Sequence, residues 1–289
     1  MAEVRPPFEK VLNFRDVATS INTLSGQHIL TPGLFFRSGL PDEATPADRQ
    51  RLTTEYHVKS IIDLRTDSEH VDQARKHGKK ILASPLAEPS DPARPLRVPG
   101  IHYHDISLNG HAYSSALMKQ LSYWNAAKLI GLYVTGYRNQ AISILGHNVM
   151  SKRGLIGLAE DSLTHSTAEV KQIFDVLADE ANYPVLAHCT QGKDRTGVTV
   201  LLVLLLLKAP LDAIDKDYML SENELLSERE ERLKQIHSIG LPDEFGGCAP
   251  GWVAAISTWI DEHYGSIETY LQSCGRKLYA LIQLLGTPT

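Results

Sequence analysis

Cysteine is scarce in this sequence: Cys189, Cys248 and Cys274 are the only three in 289 residues. Thiols so few and so scattered exclude a disulfide-stapled fold, and a reducing compartment, the cytoplasm, is the expected location. Long apolar runs are lacking too. The most apolar stretch, Val198 to Leu207, is about half the length a bilayer crossing needs, so it reads as a buried core helix and no transmembrane segment is expected. Met1 to Lys10 has no basic start leading into an apolar run, and the C-terminus has no prenylation box. Neither a secretory signal nor a lipid anchor is therefore expected. Nor is there an excess of positive charge. The formal net charge of -5 leaves no general attraction for polyanions, and nucleic acid is not an expected partner. The chain also lacks a Gly-x-Ser-x-Gly elbow, which argues against a serine hydrolase of that kind. His102 and His104 fall on one side of an expected strand, but no third ligand at a recognisable spacing joins them. No metal and no other cofactor is expected.

What remains is ordinary globular composition, 43% hydrophobic and 22% charged. Gln27–Leu30 and Leu34–Phe36 read as short strands around the turn Thr31-Pro32-Gly33. Thr45 and Pro46 read as the cap and first residue of a helix. Val58–Leu64 reads as a buried strand, Asp67–Lys76 as a polar helix and Ile101–Ile106 as a further strand. Residues 85–100 hold five prolines and read as a surface loop. Residues 107–150, rich in Tyr, Leu and Ala, read as one or two helices, and 107–165 as a helical lid or insertion. Tyr113, Tyr123, Trp124, Tyr133 and Tyr137 within it are candidates to line a substrate lid, with packing as the default assignment. Ser166 to Glu169 has the form of a capping box opening a helix to about Glu180. Val185–Ala187 reads as a short strand, followed by a glycine-containing loop and the apolar helix. Residues 211–289 form a helical C-terminal part. Strands alternating with helices predict one α/β domain over 1–289, a mostly parallel central sheet flanked by helices.

The chemistry is concentrated in His188-Cys189-Thr190-Gln191-Gly192-Lys193-Asp194-Arg195-Thr196-Gly197. A loop between a strand and a helix aims backbone N–H groups and the positive end of the helix at one point, which suits a phosphate. Gly192 permits a left-handed turn. The planar fork of Arg195 can grip two phosphate oxygens. Such positive surroundings favour a thiolate, so Cys189 can attack phosphorus and form a phosphocysteine. Thr190, Gln191, Gly192, Lys193, Thr196 and Gly197 are the expected substrate-binding residues, Thr196 also as a hydrogen-bond donor to the leaving sulfur. His188 is expected to orient the loop rather than to act as a base.

Cys, five residues, Arg, with His before and Thr-Gly after, resembles the signature loop of the protein-tyrosine-phosphatase superfamily. The form HCTQGKDRTG is similar to its branch of tyrosine/serine and phosphoinositide phosphatases of bacterial pathogens and fungi. Asn13-Phe14-Arg15-Asp16, Phe36-Arg37-Ser38-Gly39 and Ile62-Asp63-Leu64-Arg65 resemble that branch's N-terminal boxes. Asp217-Tyr218 with Ser221, and Tyr264-Gly265-Ser266 with Tyr270-Leu271, resemble its C-terminal ones. Gln191 stands where alanine is usual, and residues 85–100 and 107–150 match no box.

The resemblance implies a metal-independent phosphomonoesterase acting on phosphorylated proteins or phosphoinositides. Lys193 would then reach outward to a further phosphate. A phosphatase of a small metabolite and a binding-only pseudophosphatase are the alternatives, the latter set against by the presence of both Cys189 and Arg195. Five-residue Cys–Arg spacing followed by Thr-Gly argues against sulfur transfer. No Trp-Pro-Asp occurs to supply a general acid. Resemblance points to Asp194, then Asp63, and the end of the third strand adds Asp105. Arg37, Arg65 and Asp16 can equally be buried ion-pair residues behind the site.

Overall fold

The computed structural model describes residues 7–78, 96–275 and 279–287. Its centre is a five-stranded sheet of β1 (Arg15–Asp16), β2 (Phe35–Ser38), β3 (Ser60–Asp63), β4 (His102–Asp105) and β5 (Val185–His188) in the order β1-β2-β5-β3-β4. Only β1–β2 is antiparallel; the other pairings are parallel. The mostly parallel α/β sheet expected from the sequence is therefore present. Side chains alternate across it, as the two-residue strand period requires. Phe35, Ile62, Val185 and Ala187 enter the larger core cluster, while Phe36, Ile61 and Leu186 enter a smaller one.

The helices flanking the sheet are α1 (Val17–Ser25), α2 (Pro46–Thr54) and α3 (Asp67–Lys76), followed by α4 (His111–Lys119), α5 (Tyr123–Val134) and α6 (Arg138–Leu145). A π-helical turn, Gly146–Met150, leads into α7 (Ser151–His165), which kinks at Gly154. Then come α8 (Thr167–Leu177), α9 (Asp194–Leu206), α10 (Leu211–Glu224), α11 (Arg229–Ser238), α12 (Trp252–Tyr264), α13 (Ile267–Ser273) and α14 (Tyr279–Leu285). Helix α9 is buried on nearly every face from Thr196 to Leu206, which is why its sequence shows an unbroken apolar run instead of a stripe. No helix among the described residues is long and apolar enough to cross a membrane.

Several local expectations need correction. Gln27–Leu30 is not a strand. The Asn22 side chain accepts the N–H groups of Ile29 and Leu30, and only an isolated bridge from Leu30 to Gly286 forms. Helix α8 is where the pattern put it, but it ends at Leu177 and Ser166 does not cap it. The Ser166 hydroxyl accepts instead from the backbone of Asn109. Thr45 and Asp48 do form a reciprocal capping box on α2. Of the proline-rich segment 85–100, residues 85–95 lie outside the described residues.

Candidate active site

Parallel register brings the C-terminal ends of the strands to one level. Ser38 and Asp63 both pair with His188, and Asp105 pairs with Asp63. The loop leaving β5 thus emerges beside the ends of β2 and β3, the edge where open α/β sheets place their ligand sites. Cys189 is the first residue past β5 and is buried.

The loop's shape is imposed from behind. Leu40 N–H donates to the Thr190 carbonyl at 3.2 Å. The Asn13 amide donates to the carbonyls of Gln191 and Gly192 at 3.0 and 3.1 Å, and Arg37 donates to Gly192 at 2.7 Å. In a trans peptide the C=O and the following N–H point in opposite directions. Holding the carbonyls of Thr190, Gln191 and Gly192 on the outside therefore turns the N–H groups of Gln191, Gly192 and Lys193 the other way. None of the three has an acceptor among the described residues. Gly192 has φ +66°, and a Cβ there would run into the carbonyl of Ser38. Glycine is required on both counts.

The N-terminal boxes supply this backing. Arg37 is buried, and Asp217 accepts from it at 2.8 Å and from Arg15 at 2.8 Å. Burial alone would raise the Asp217 carboxyl, but Arg37 and Arg15 hold it at about 2. Burial and the like charge of Arg15 bring Arg37 down to about 10, against the pull of Asp217. Arg37 and Arg65 are thus buried ion-pair residues, Arg65 with Asp63 and Asp42. Asp16 instead caps α1.

Arg195 lies over a partner that sequence reasoning missed. Glu69 receives its guanidinium end-on, NH1 to Oε2 at 2.6 Å and NH2 to Oε1 at 2.7 Å, and also accepts from the Thr190 hydroxyl at 2.6 Å. Burial would raise the Glu69 carboxyl, yet Arg195 holds it far below the usual carboxylate range. Glu69 is itself fixed as the third helical residue of a capping box with Thr66 on α3. The signal was legible as Thr66-Asp67-Ser68-Glu69 directly after the Ile-Asp-Leu-Arg box.

Two assignments change. Asp63 is not available as an acid. Its carboxylate accepts from Arg65 at 2.6 Å and lies 3.4 Å from His188 and 3.3 Å from His70. Burial would raise it, but His188, His70 and Arg65 hold it well below the ordinary range, so it carries no proton to give at neutral pH. Lys193 does not reach outward. Its side chain is buried, and its ammonium donates to the carbonyls of Phe245, at 3.2 Å, and Gly247.

Asp194 remains at the rim with a half-exposed side chain, its nearest cation Lys193 at 3.5 Å. Asp105 is spoken for by Arg97 at 2.5 Å. Thr196 is fully buried with a hydroxyl that has no partner among the described residues, and the Gln191 side-chain oxygen is likewise unpaired. Gly197 faces the rings of Tyr218 and Trp252. His188 contacts the Cys189 carbonyl through Nδ1 at 3.1 Å and Asp63 through Nε2, which ties the base of the loop to β3.

Metal-capable atoms of Asp63, His70 and Asp105 come within 4.8 Å of one another, a grouping the sequence did not suggest. Arg65 and Arg97 already supply these carboxylates with positive charge.

Similarity to known proteins agrees with this arrangement. A "Tyrosine-protein phosphatase" of Nostoc commune is 29% identical over 153 residues, 47% of this chain and 52% of that protein. The "Triple specificity protein phosphatase PtpB" of Mycobacterium tuberculosis (strain ATCC 25618 / H37Rv) is 34% identical over 110 residues, 33% of this chain and 40% of that protein. The chain thus spans about half the length of the curated relatives it matches. Residues 6–284, nearly the whole chain, match the profile described as "Tyrosine phosphatase family", and the chain belongs to that family.

Proposed function

We propose that this chain is a phosphomonoesterase working through a phosphocysteine at Cys189. The observation that carries the reading is the loop itself: the unpaired N–H groups of Gln191, Gly192 and Lys193 stand beside a buried cysteine, and Arg195, its fork held by Glu69, opens the helix that follows. The thiolate of Cys189 attacks phosphorus as the bond to the leaving oxygen breaks. Asp194 gives its proton to that oxygen. The equatorial oxygens are held by the N–H groups and by Arg195, whose Nε–H has no acceptor among the described residues and whose terminal N–H groups, now on Leu64, Glu69 and Thr190, must release one of these to join it. Water then attacks the phosphocysteine, Asp194 takes a proton from the water, and the sulfur leaves as thiolate. The unpaired Thr196 hydroxyl is a suitable donor to it.

Phosphorylated protein is the substrate class favoured, in line with the names of the relatives. The loop-borne reason for preferring a phosphoinositide weakens, because the Lys193 ammonium is committed to backbone carbonyls. The loop needs no metal for this chemistry. Residues 107–165 serve as a helical cover, since their last helix, α7, packs on α9, the helix that leaves the loop.

The test is turnover of a phosphotyrosine peptide, a phosphoserine peptide, phosphoinositides and small phosphate esters by wild type and Cys189→Ser, with and without chelator. Wild type should turn over in chelator and favour phosphotyrosine, while Cys189→Ser is inactive. Activity restored to chelated enzyme only by a divalent ion, or substantial turnover by folded Cys189→Ser, would contradict the proposal.

A further inference from the structure

The aromatics of 123–137, assigned by default to packing, are not buried, although Tyr123 and Trp124 meet edge to face. Tyr123, Trp124 and Val134 are each 79% exposed, with Ile130, Tyr133 and Tyr137 also more than half exposed. Helix α5 contains no buried residue. Its residues Tyr123, Ala127, Ile130 and Val134 stand at i, i+4, i+7 and i+11, one face of a helix, and that face is turned to solvent. A helix of a soluble protein ordinarily puts such a stripe inside. Here Leu129 and Leu132, on the other side of α5, are the half-buried ones, and the helix packs mainly on α6.

Charge follows the same boundary. The chain carries 34 acidic residues and is net negative, yet from Ile106 to Ala159 it has no aspartate or glutamate. The charged residues of that stretch are Lys119, Lys128, Arg138, Lys152 and Arg153, all positive. Lys128 of α5 and Lys119 at the end of α4 are both exposed. An apolar helical face rich in Trp and Tyr, carried on a segment whose charged residues are all cations, has the composition of an element that lies in the headgroup region of a bilayer. Anionic lipid attracts the lysines while the stripe leaves water. A patch of this kind on an otherwise charged surface marks an interaction site.

We propose that the hairpin α5–α6 is a membrane-docking surface, with the Tyr123–Ala127–Ile130–Val134 stripe and Trp124 inserted into the interface of an anionic bilayer. The inference goes beyond the catalytic reading and does not require the substrate to be a lipid. Docking would bring the chain to the surface where membrane-bound phosphoesters reside.

The test is co-sedimentation with vesicles of phosphatidylcholine alone and with a quarter of phosphatidylserine, which contain no phosphoinositide and so leave the active site out of the readout. Wild type should bind the anionic vesicles, release in high salt, and show a blue shift of Trp124 emission, taken as the difference from Trp124→Phe. The triple variant Trp124→Gln, Ile130→Gln, Val134→Gln should keep its thermal midpoint and lose binding by about tenfold or more. Lys128→Glu should weaken binding at low salt alone. The proposal is overturned if wild type ignores anionic vesicles or if the stably folded triple variant binds as well. It is also overturned if wild type is a dimer that the triple variant breaks, because a second copy then covers the stripe. Trp124 emission already blue-shifted without vesicles would equally overturn it, as a hairpin folded against its own chain.

Discussion

Asp194 and Lys193 are neighbours in the chain whose charged ends lie 3.5 Å apart, yet they differ in exposure. Asp194 stands at the rim with a half-exposed carboxyl; Lys193 is driven inward onto the carbonyls of the turn Asp243–Gly246 and Gly247. If Asp194 is the proton donor, Asn in its place should cost about 100-fold or more on a substrate with a poor leaving group and far less on a nitrophenyl phosphate, whose anion leaves unaided. Comparing kcat/KM on both esters checks this, and equal losses would remove Asp194 from the role. Lys193→Ala should lower kcat/KM to the same degree on phosphotyrosine peptides and phosphoinositides. It also deletes charge-assisted bonds to buried carbonyls, so stability should fall by about 2 kcal/mol, read from denaturant midpoints. A loss confined to multiply phosphorylated substrates would show that the ammonium reaches them after all.

At the scale of elements, one carboxylate ties four of them together, Ser20 of α1 being among its donors. Asp217 of α10 accepts from Arg15 of β1 and Arg37 of β2, and Arg37 in turn holds the Gly192 carbonyl. The Asp217 carboxyl sits at about 2 in the folded protein against 3.8 for the free side chain. A depressed carboxylate contributes its stability above its unfolded value and loses it as pH falls through the folded one. The share is about 2 kcal/mol, lost between about pH 4 and pH 2. Acid titration of the unfolding free energy should show this limb in wild type. Asp217→Asn should flatten it and lower stability at pH 7, because two arginines are left without their anion. An unchanged acid limb would contradict the assignment. The cores of these elements were legible in the sequence because strand alternation and the apolar run of α9 are local signals. Asp217 as a hub was not, since its partners lie some two hundred positions away; only the family boxes hinted at it. Glu69 stood in a readable capping box, but that pattern speaks of a helix start and says nothing of Arg195. Lys193 misled because position in a loop fixes where the backbone goes, not which way a long side chain turns.

Across the whole molecule the design is asymmetric. A parallel sheet delivers Cys189 to the strand ends, the N-terminal boxes grip its loop from behind, and α3 presents Glu69 to Arg195. The α/β architecture could be read ahead of the structure from strands alternating with helices. The solvent-facing stripe of α5 could not, because periodicity reports a face and leaves open what the face meets. The proposed mechanism turns on a sulfur–phosphorus bond at Cys189. The most direct measurement is rapid acid quench of the enzyme with an aryl phosphate carrying labelled phosphorus, followed by peptide mapping. The account predicts label on the peptide containing Cys189, formed in a burst and absent from Cys189→Ser. Turnover at full rate with no protein-bound label, or label on another residue, would contradict it.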